Sequence, residues 1–382
     1  MSAMVTDAED VKELSLPLPD DMHHHLRDGE VLADTVAAAA RQFGRAICMP
    51  NLVPPVTTAE MATAYKGRIL EALRSRTPEG ARVTFEPLMT LYLTDNTTPE
   101  DIKQCAAAGD VKAVKLYPAG ATTNSASGVT DYSKLTGALQ AMAHYGLPLC
   151  VHGEVTASEV DIFDRERVFV QQRLPEILQR ASQLKVVVEH MTTKEAVDFV
   201  LAAGPNVGAT ITPHHLLANR NHMLAGGIRP HLYCLPILKT EADRVALLAA
   251  ATSGCERIFL GTDSAPHALG MKETGCGCAG VFNGASAIEL YAQAFESVGQ
   301  LDKLEGFASR FGAAFYGLPP STETVTLRRE QWTVPPSYPF GNTVVVPYGA
   351  GQPLAWKLHR EGPTPVMGSC KPCKAPEPVP VH

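Results

Sequence analysis

The sequence has no run of about 18 or more apolar residues, the length that a helix needs to cross a bilayer, so no membrane contact is expected. It also lacks a basic excess: 33 Lys and Arg stand against 40 Asp and Glu. The resulting net charge of -7 argues against a nucleic-acid partner. The acidic N-terminus has neither the apolar core of a secretory signal nor the arginines and serines of a transit peptide. We expect an intracellular protein, located in the cytoplasm, or in a plastid or mitochondrion if a transit peptide has been removed.

Cysteine is sparse, with nine residues in a chain of 382. This number is too small and too scattered for a disulfide scaffold, which favours a reducing compartment. Cys48, Cys150 and Cys234 lie in apolar runs and are predicted to be buried free thiols. The pairs CGC at 276–278 and CKPC at 370–373 suggest a structural zinc, but we do not predict one because the second pair lies in a proline-rich tail.

Eight short apolar segments, most of them followed by a helical pattern, predict the fold class. They are 14–22, 45–49, 83–91, 111–117, 147–152, 185–190, 207–212 and 257–262. Strands that alternate with helices indicate βαβ units and a parallel sheet. Eight such units over about 250 residues favour an α/β fold of the closed (β/α)8 TIM-barrel type over an open sheet.

The remaining segments suggest how the chain is divided. We expect the barrel to occupy residues 1–320, and short strands and turns at 321–360 to form a small C-terminal extension packed on it. Residues 361–382, rich in proline, are expected to form a disordered tail. The stretch 213–256 is too long for a plain βα connection and predicts an ordered active-site loop.

Side chains that bind metals or carry protons stand at the ends of the predicted strands. Alternate side chains of a strand share a face, so His23 and His25 point one way and His24 points the other. Because all strand C-termini of a (β/α)8 barrel meet at one rim, six such side chains are expected to converge. They are His23, His25, Lys115, His152, His190 and Asp263. Their convergence predicts a metal centre, since imidazole and carboxylate are usual zinc ligands. Most of the histidines at 214, 215, 222 and 231 are expected to be hydrogen-bonded structural groups.

Lys115 allows two interpretations. Burial favours the neutral amine, which can add carbon dioxide and become a carbamate able to bridge two metals as a carboxylate does. Alternatively, its ammonium extends to the rim or pairs with Asp263. Beside four histidines and one aspartate we favour the carbamate, that is N6-carboxylysine, because divalent cations would repel an ammonium.

Such a centre predicts hydrolysis. Two metals about 3.5–4 Å apart lower the pKa of a shared water and polarise a carbonyl oxygen. Imidazole combined with hard oxygen ligands suits Zn²⁺, although cobalt, nickel or manganese can substitute. Asp263 would bind one metal through one oxygen, while its other oxygen takes a proton from the hydroxide and delivers it to the leaving nitrogen.

Several long motifs resemble those of one known family. HHHLRDG at 23–29 resembles the HxHxRDG first-strand motif of the amidohydrolase superfamily. MPNLVPPVTT at 49–58, KLYPAGATTNS at 115–125, VHGEVT at 151–156 and VEHMTTK at 188–194 are similar to the bacterial-type (class II) dihydroorotases. RPHLYCLPILK at 229–239, GTDSAPHA at 261–268 and CGCAGVFN at 276–283 continue this resemblance, which covers roughly residues 14–320.

The resemblance implies a role for each matching residue. It implies two Zn²⁺ ions per subunit, with His23 and His25 on the more buried ion, His152 and His190 on the second, and carbamylated Lys115 as the bridge. Asp263 would be both a ligand and the general acid and base. The implied substrate-binding residues are Arg27, Asn51 and His267 for a carboxylate, the backbone of Leu235 and Ala279 for ring amides, and Thr122 and Thr123 on a closing loop. A homodimer is also implied.

We therefore expect reversible hydrolysis of dihydroorotate to N-carbamoyl-aspartate by a metal-bridging hydroxide, in the synthesis of pyrimidines. Arg27 supports this substrate, because alternation keeps it on the face of His25 and its guanidinium suits a planar carboxylate. Two alternatives remain open. One is a hydantoinase or allantoinase, which would require a site indifferent to carboxylate, and the other is a non-catalytic scaffold of the same fold.

Overall fold

The computed structural model describes residues 11–368. Its centre is a parallel sheet of eight strands that follow one another in chain order. These strands are β2 (Asp20–His24), β3 (Arg45–Cys48), β4 (Glu86–Leu93), β5 (Val111–Leu116), β6 (Leu149–His152), β7 (Val186–Glu189), β8 (Val207–Ile211) and β9 (Ile258–Leu260). The predicted (β/α)8 barrel is thereby confirmed.

The barrel closes through the residues that follow β9. Asp263 N–H donates to the carbonyl of His23 at 2.9 Å, and His25 N–H donates to the carbonyl of Ser264 at 3.1 Å. These two bonds join the last strand to the first in the direction that a parallel ladder requires. Closure therefore brings Asp263 beside the two histidines, although 240 residues separate them in sequence.

The single strand predicted over 14–22 is wrong. The segment forms two strands of different sheets, β1 (Glu13–Pro17) and β2. Pro17 and Pro19 interrupt it, because proline has no N–H to continue a ladder. The other seven predicted strands each contain, or overlap with, one strand of the barrel.

The barrel interior is filled from below by one apolar side chain from each of seven strands. They are Met22, Ile47, Leu88, Ala113, Cys150, Val187 and Phe259. Since alternate residues share a face, the residue two positions further along a strand faces the interior one layer higher. On β5, β6 and β7 those residues are Lys115, His152 and Glu189, and all three are buried. The apolar floor thus places polar groups directly beneath the rim.

Helices surround the barrel. They are α1 (Leu32–Gln42), α2 (Ala59–Arg76), α3 (Pro99–Ala108), α4 (Thr136–Tyr145), α5 (Arg165–Val168), α6 (Leu174–Arg180), α7 (Lys194–Ala202), α8 (Pro213–Leu217), α9 (Arg220–Leu224), α10 (Glu241–Ala251), α11 (Leu269–Lys272), α12 (Ala287–Glu296) and α13 (Phe311–Tyr316). The predicted loop at 213–256 contains α8, α9 and α10. None of the described helices is both long and apolar enough to cross a membrane.

The extension uses both ends of the described chain. β10 (Thr324–Thr333) pairs antiparallel with β1 on one side and with β13 (Pro353–Arg360) on the other, while β11 (Tyr338–Phe340) and β12 (Thr343–Val345) form a hairpin. Of the predicted tail, residues 361–368 are described, and Val366 N–H donates to the carbonyl of Arg76 at 2.7 Å. The rest of the predicted tail lies outside the described residues, as do Cys370 and Cys373 of the CKPC pair. Cys48, Cys150 and Cys234 are buried free thiols, as predicted.

Candidate active site

Three predicted metal ligands form a compact triangle at the rim. His23 Nε2 lies 3.3 Å from His25 Nε2, and Asp263 Oδ1 lies 3.2 Å from the first nitrogen and 3.1 Å from the second. Donor atoms about 2.0–2.2 Å from a zinc ion are separated by about 3.3–3.6 Å in tetrahedral geometry. The triangle therefore has the dimensions of one face of a metal coordination shell. His24 points away and contacts Asp21 instead, as the alternation predicts.

The other two histidines complete a continuous cluster of imidazoles. The ring of His190 lies 4.9 Å from that of His23 and 4.9 Å from that of His152, measured between centroids. His190 Nδ1 is buried and has no hydrogen-bond partner among the described residues. His152 Nε2 is held by Glu154 Oε2 at 2.7 Å, which leaves Nδ1 as the ring nitrogen of His152 available to a ligand. A buried nitrogen that no protein group satisfies is suited to bind a metal ion.

Lys115 lies below the rim and is fully buried. Its Nζ contacts Glu189 Oε2 and lies 4.7 Å from the ring centre of Tyr117. The alternative in which the Lys115 ammonium pairs with Asp263 is wrong, because its carboxylate partner is Glu189. The second oxygen of Glu189 lies 3.0 Å from His23 Nδ1, at ion-pair distance but outside good hydrogen-bond geometry.

The electrostatics of the cluster favour a cation. Burial alone would lower the pKa of His23, but the carboxylates of Glu189 and Asp263 outweigh it and raise this pKa to about 9. Burial lowers the pKa of His25 to about 3 and holds the pKa of His190 well below its usual range, so both rings are neutral and offer lone pairs. Because ligands must be unprotonated, a metal ion would take the place of the proton that the two carboxylates attract to His23.

Backbone strain is concentrated at the same residues. Arg27, His190 and Asp263 have φ values of 61°, 42° and 43°, in the left-handed region that L-residues rarely adopt. Asn124, with a φ of 54°, is the fourth such residue within 11–368, and it lies in the loop that covers the site. At His190 the unusual φ reverses the alternation of β7, so that consecutive residues, Glu189 and His190, both face the cluster.

Two of the three predicted carboxylate-binding residues, Arg27 and Asn51, line the same cavity as the histidines, and the third, His267, contacts Arg27. Arg27 Nη2 lies 3.1 Å from His267 Nε2, and Arg27 Nε–H donates to the carbonyl of Pro266 at 3.1 Å. His267 Nε2 is also 2.9 Å from the carbonyl of Ala279. Burial, followed by the charge of Arg27, lowers the pKa of His267 to about 3, so the ring is neutral.

The loop after β5 closes over this cavity. Asn51 Nδ2–H donates to the carbonyl of Thr123 at 3.0 Å, and Thr123 Oγ1–H donates to the carbonyl of Ala279 at 3.3 Å. Thr122, Thr123, Leu235 and Ala279 all line the cavity. The structure therefore brings the predicted ligands and substrate-binding residues into one region, with Lys115 beneath them.

Sequence reasoning missed two buried carboxylates, Glu154 and Glu189. Both continue the inward-facing rows of their strands, since Glu154 follows Cys150 and His152 at intervals of two, and Glu189 follows Val187. The interval of two residues along each strand is the sequence signal that could have identified both carboxylates. The prediction from strand-end histidines does not include these carboxylates, because it considers the last residue of each strand and not the neighbours that share a face with the interior row.

A second group of possible ligands lies nearby, formed by His214, His215 and Cys234. His215 uses both ring nitrogens, since Nδ1 lies 2.7 Å from Thr212 Oγ1 and Nε2 lies 3.0 Å from the carbonyl of Pro236. Neither nitrogen is therefore available to a metal. His222 and His231 are also hydrogen bonded, so the prediction that most of these histidines are structural is confirmed.

Comparisons of sequence and of structure with known proteins agree on the family of this chain. Residues 21–328 match the family described as Amidohydrolase family. A dihydroorotase of Stutzerimonas stutzeri is 62% identical over 345 residues, which cover 90% of this chain and 98% of that protein. The crystal structure of dihydroorotase from Campylobacter jejuni is 36% identical, with a TM-score of 0.82 and coverage of 91% of this chain and 98% of that one. Dihydroorotase of Saccharomyces cerevisiae in complex with 5-fluoroorotic acid is 31% identical, with a TM-score of 0.83 and coverage of 92% and 100%. The chain therefore belongs to the dihydroorotases of the amidohydrolase family.

Proposed function

We propose that this protein catalyses the reversible hydrolysis of dihydroorotate, a cyclic amide, to N-carbamoyl-aspartate in the synthesis of pyrimidines. The observation that carries the proposal is the triangle of His23, His25 and Asp263 in the same cavity as Arg27. The first three groups suit a metal ion, and the guanidinium suits the substrate carboxylate. The yeast relative binds 5-fluoroorotic acid, which is also a carboxylated pyrimidine.

His23, His25 and Asp263 would hold one Zn²⁺, and His152 and His190 would hold a second, with carbamylated Lys115 between the two. When bound, the two ions supply a water of lowered pKa and polarise the carbonyl oxygen of the ring. The negative charges of Asp263, Glu189 and the carbamate would offset much of the charge of two divalent ions. Buried carboxylates are disfavoured without nearby cations. This amount of buried negative charge therefore supports a centre that holds more than one metal ion.

Asp263 would transfer the proton. Although burial favours its neutral acid, contact with His23 and His25 holds the pKa of Asp263 well below its usual range, so the group is ionised. Its carboxylate oxygen would accept a proton from the attacking water. It would then deliver this proton to the ring nitrogen as the C–N bond breaks, and the reverse reaction would use the same two steps in reverse order.

Arg27, Asn51 and His267 would bind the substrate carboxylate, while the backbone groups of Leu235 and Ala279 read the ring amides. Thr122 and Thr123 would close the loop over the ligand. A charged hydrogen bond of this kind contributes about 1.5–3 kcal/mol. A ring without the carboxylate would leave Arg27 unpaired, so the site would discriminate against hydantoin and allantoin more strongly than an apolar pocket does.

Direct assay tests this proposal. The purified protein, supplied with zinc and bicarbonate, is expected to hydrolyse dihydroorotate and to leave hydantoin largely unchanged. Preference for hydantoin would favour the hydantoinase alternative. Fewer than one bound ion per chain, together with no turnover of either ring, would favour the non-catalytic scaffold. An anomalous-scattering map of the barrel mouth tests the two zinc ions and the carbamate, and sedimentation analysis tests the homodimer.

A further inference from the structure

Lys272 is a buried cation that lies outside the cavity of the candidate active site. It is the last residue of α11 and is only 3% exposed. Its Nζ–H groups donate to three backbone carbonyls, those of Tyr233 at 2.8 Å, Cys278 at 2.8 Å and Gly280 at 2.7 Å. An ammonium has three N–H donors, so all of them are used.

The three acceptors belong to two separate segments of the cavity wall. Tyr233 lies two residues before Leu235, while Cys278 and Gly280 lie on either side of Ala279. Gly280 N–H also donates to the carbonyl of Tyr233 at 3.0 Å, so the two segments meet directly beside the ammonium. Lys272 therefore joins the backbone segments that are proposed to read the ring amides of the substrate.

The partners of this cation are unusual. Within residues 11–368 no carboxylate forms an ion pair with Lys272, and burial lowers the pKa of its ammonium to about 8. Only carbonyl dipoles and the ring of Tyr233, whose centroid lies 5.8 Å from Nζ, compensate this charge. Burying such a charge is unfavourable, and well-packed apolar residues often replace buried charges without loss of stability. Stability alone is therefore a poor explanation for a lysine at this position.

We propose that Lys272 is a positioning residue for substrate recognition, which holds the segments of Leu235 and Ala279 at the spacing that the ring requires. The inference rests on the proposed function for the identity of the ring. The ammonium itself does not reach the cavity, and it acts only through the backbone. Its loss would weaken substrate binding while leaving the metal ligands and Asp263 in place.

The test compares two variants with a control. Lys272→Met keeps the length of the side chain and removes its charge, whereas Lys272→Arg keeps a charge and several donors. Lys185→Met is the control, because Lys185 Nζ–H also donates to a backbone carbonyl, that of Phe315, but at the opposite end of the barrel. Since about 1.4 kcal/mol corresponds to a tenfold change, loss of these charged bonds is expected to raise KM for dihydroorotate about tenfold or more.

In Lys272→Met we expect kcat to stay within about threefold of the unmodified value and the metal content to be unchanged. The substitution weakens substrate binding, but it leaves in place the groups that carry out the chemical step. The KM of Lys272→Arg should lie close to that of the unmodified protein, and Lys185→Met should have the same KM as the unmodified protein. A KM equal to that of the unmodified protein in Lys272→Met, or a fall in kcat alone, would overturn the proposal. If Lys272→Met does not fold, Lys272→Gln replaces it under the same criteria.

Hydrogen exchange separates this proposal from the proposed function. The amides of Cys278 and Gly280 should exchange faster in Lys272→Met than in the unmodified protein and in Lys185→Met, whichever ring the enzyme hydrolyses. If exchange is faster in Lys272→Met but the protein does not hydrolyse dihydroorotate, the proposed substrate is refuted and the positioning role of Lys272 is supported. Unchanged exchange would refute the role even if dihydroorotate is hydrolysed.

Discussion

Glu189 connects two predicted metal ligands, since one of its oxygens lies 3.0 Å from His23 Nδ1 and the other contacts Lys115 Nζ. His23 presents its opposite nitrogen, Nε2, to His25 and Asp263. A carboxylate behind a metal-binding histidine fixes the orientation and tautomer of the ring and makes it a stronger ligand. Glu189 is therefore positioned to control the affinity of the site without occupying the cavity.

Replacing Glu189 with glutamine should weaken metal binding. The variant keeps the size of the side chain but loses its charge, so His23 is no longer held by a carboxylate. Loss of such a partner typically lowers metal affinity or activity about 10–100-fold. Competition with a chelator, followed by metal analysis, measures the affinity. Glu289→Gln, which alters another fully buried glutamate, should bind metal as the unmodified protein does. Equal affinities in all three proteins would contradict the role given to Glu189.

Replacing Asp263 with alanine should abolish turnover in both directions while substantial metal stays bound, because the histidines are unchanged. General acid–base catalysis contributes about 10²–10⁴-fold, so a loss of at least this size is expected. Absorbance assays started from each substrate measure the two directions, and metal analysis measures occupancy. Asp110→Ala, which removes an aspartate paired with Lys66 away from the site, is the control. Undiminished turnover in the Asp263 variant would refute the assignment.

Replacing Arg27 with methionine should raise KM for dihydroorotate about 10–100-fold, which corresponds to the loss of one charged hydrogen bond. A ring that lacks the carboxylate should be unaffected, since it does not use the guanidinium. Arg68→Met is a close control, because Arg68 binds Asp28, the neighbour of Arg27, at the surface. Steady-state kinetics with both rings test the prediction, and a similar rise in KM for the two would mean that Arg27 acts on the fold of the site instead.

Much of this site was predictable because a barrel gathers its strand ends. Ala113 and Lys115 lie two positions apart, as do Cys150 and His152, so alternation alone directs these two metal-binding groups inward. His190 is different. Period two assigns the inward position to Glu189, and His190 joins the cluster only through its positive φ. Single-sequence patterns do not encode such a conformation, which depends on the packing around it.

The boundary between β1 and β2 was missed for a different reason. Leucine recurs at every second position at Leu14, Leu16 and Leu18, and Met22 follows in the same phase, so the pattern is compatible with one strand. The partners are long-range: β1 pairs with β10, some 310 residues later, and β2 pairs with β3. Sequence reveals that a segment favours extended structure, but the choice of sheet is made by tertiary contacts.

Glu166 should make stability depend on pH. It is fully buried beside the segment that follows His190, where both carboxylate oxygens accept from Thr192 N–H at 2.9 Å and one accepts from Thr193 Oγ1 at 2.6 Å. Burial outweighs these bonds and raises the pKa of Glu166 from 4.5 to about 7. The folded state thus binds the proton more tightly than the unfolded state, so the contribution of Glu166 to stability is present below about pH 4.5 and is lost as the pH rises through about 7.

Glu166→Gln removes the titrating carboxyl group, so comparison with the unmodified protein should isolate its contribution to the pH dependence of stability. A shift of this size corresponds to roughly 3 kcal/mol, at about 1.4 kcal/mol per pKa unit. The variant should therefore gain stability relative to the unmodified protein between pH 5 and pH 8, because glutamine stays neutral where the buried glutamate is forced to ionise. Thermal unfolding of both proteins at the two pH values measures the difference. Parallel behaviour of the two proteins, with the same change in melting temperature, would mean that Glu166 is already ionised at pH 5 and that its hydrogen bonds outweigh burial.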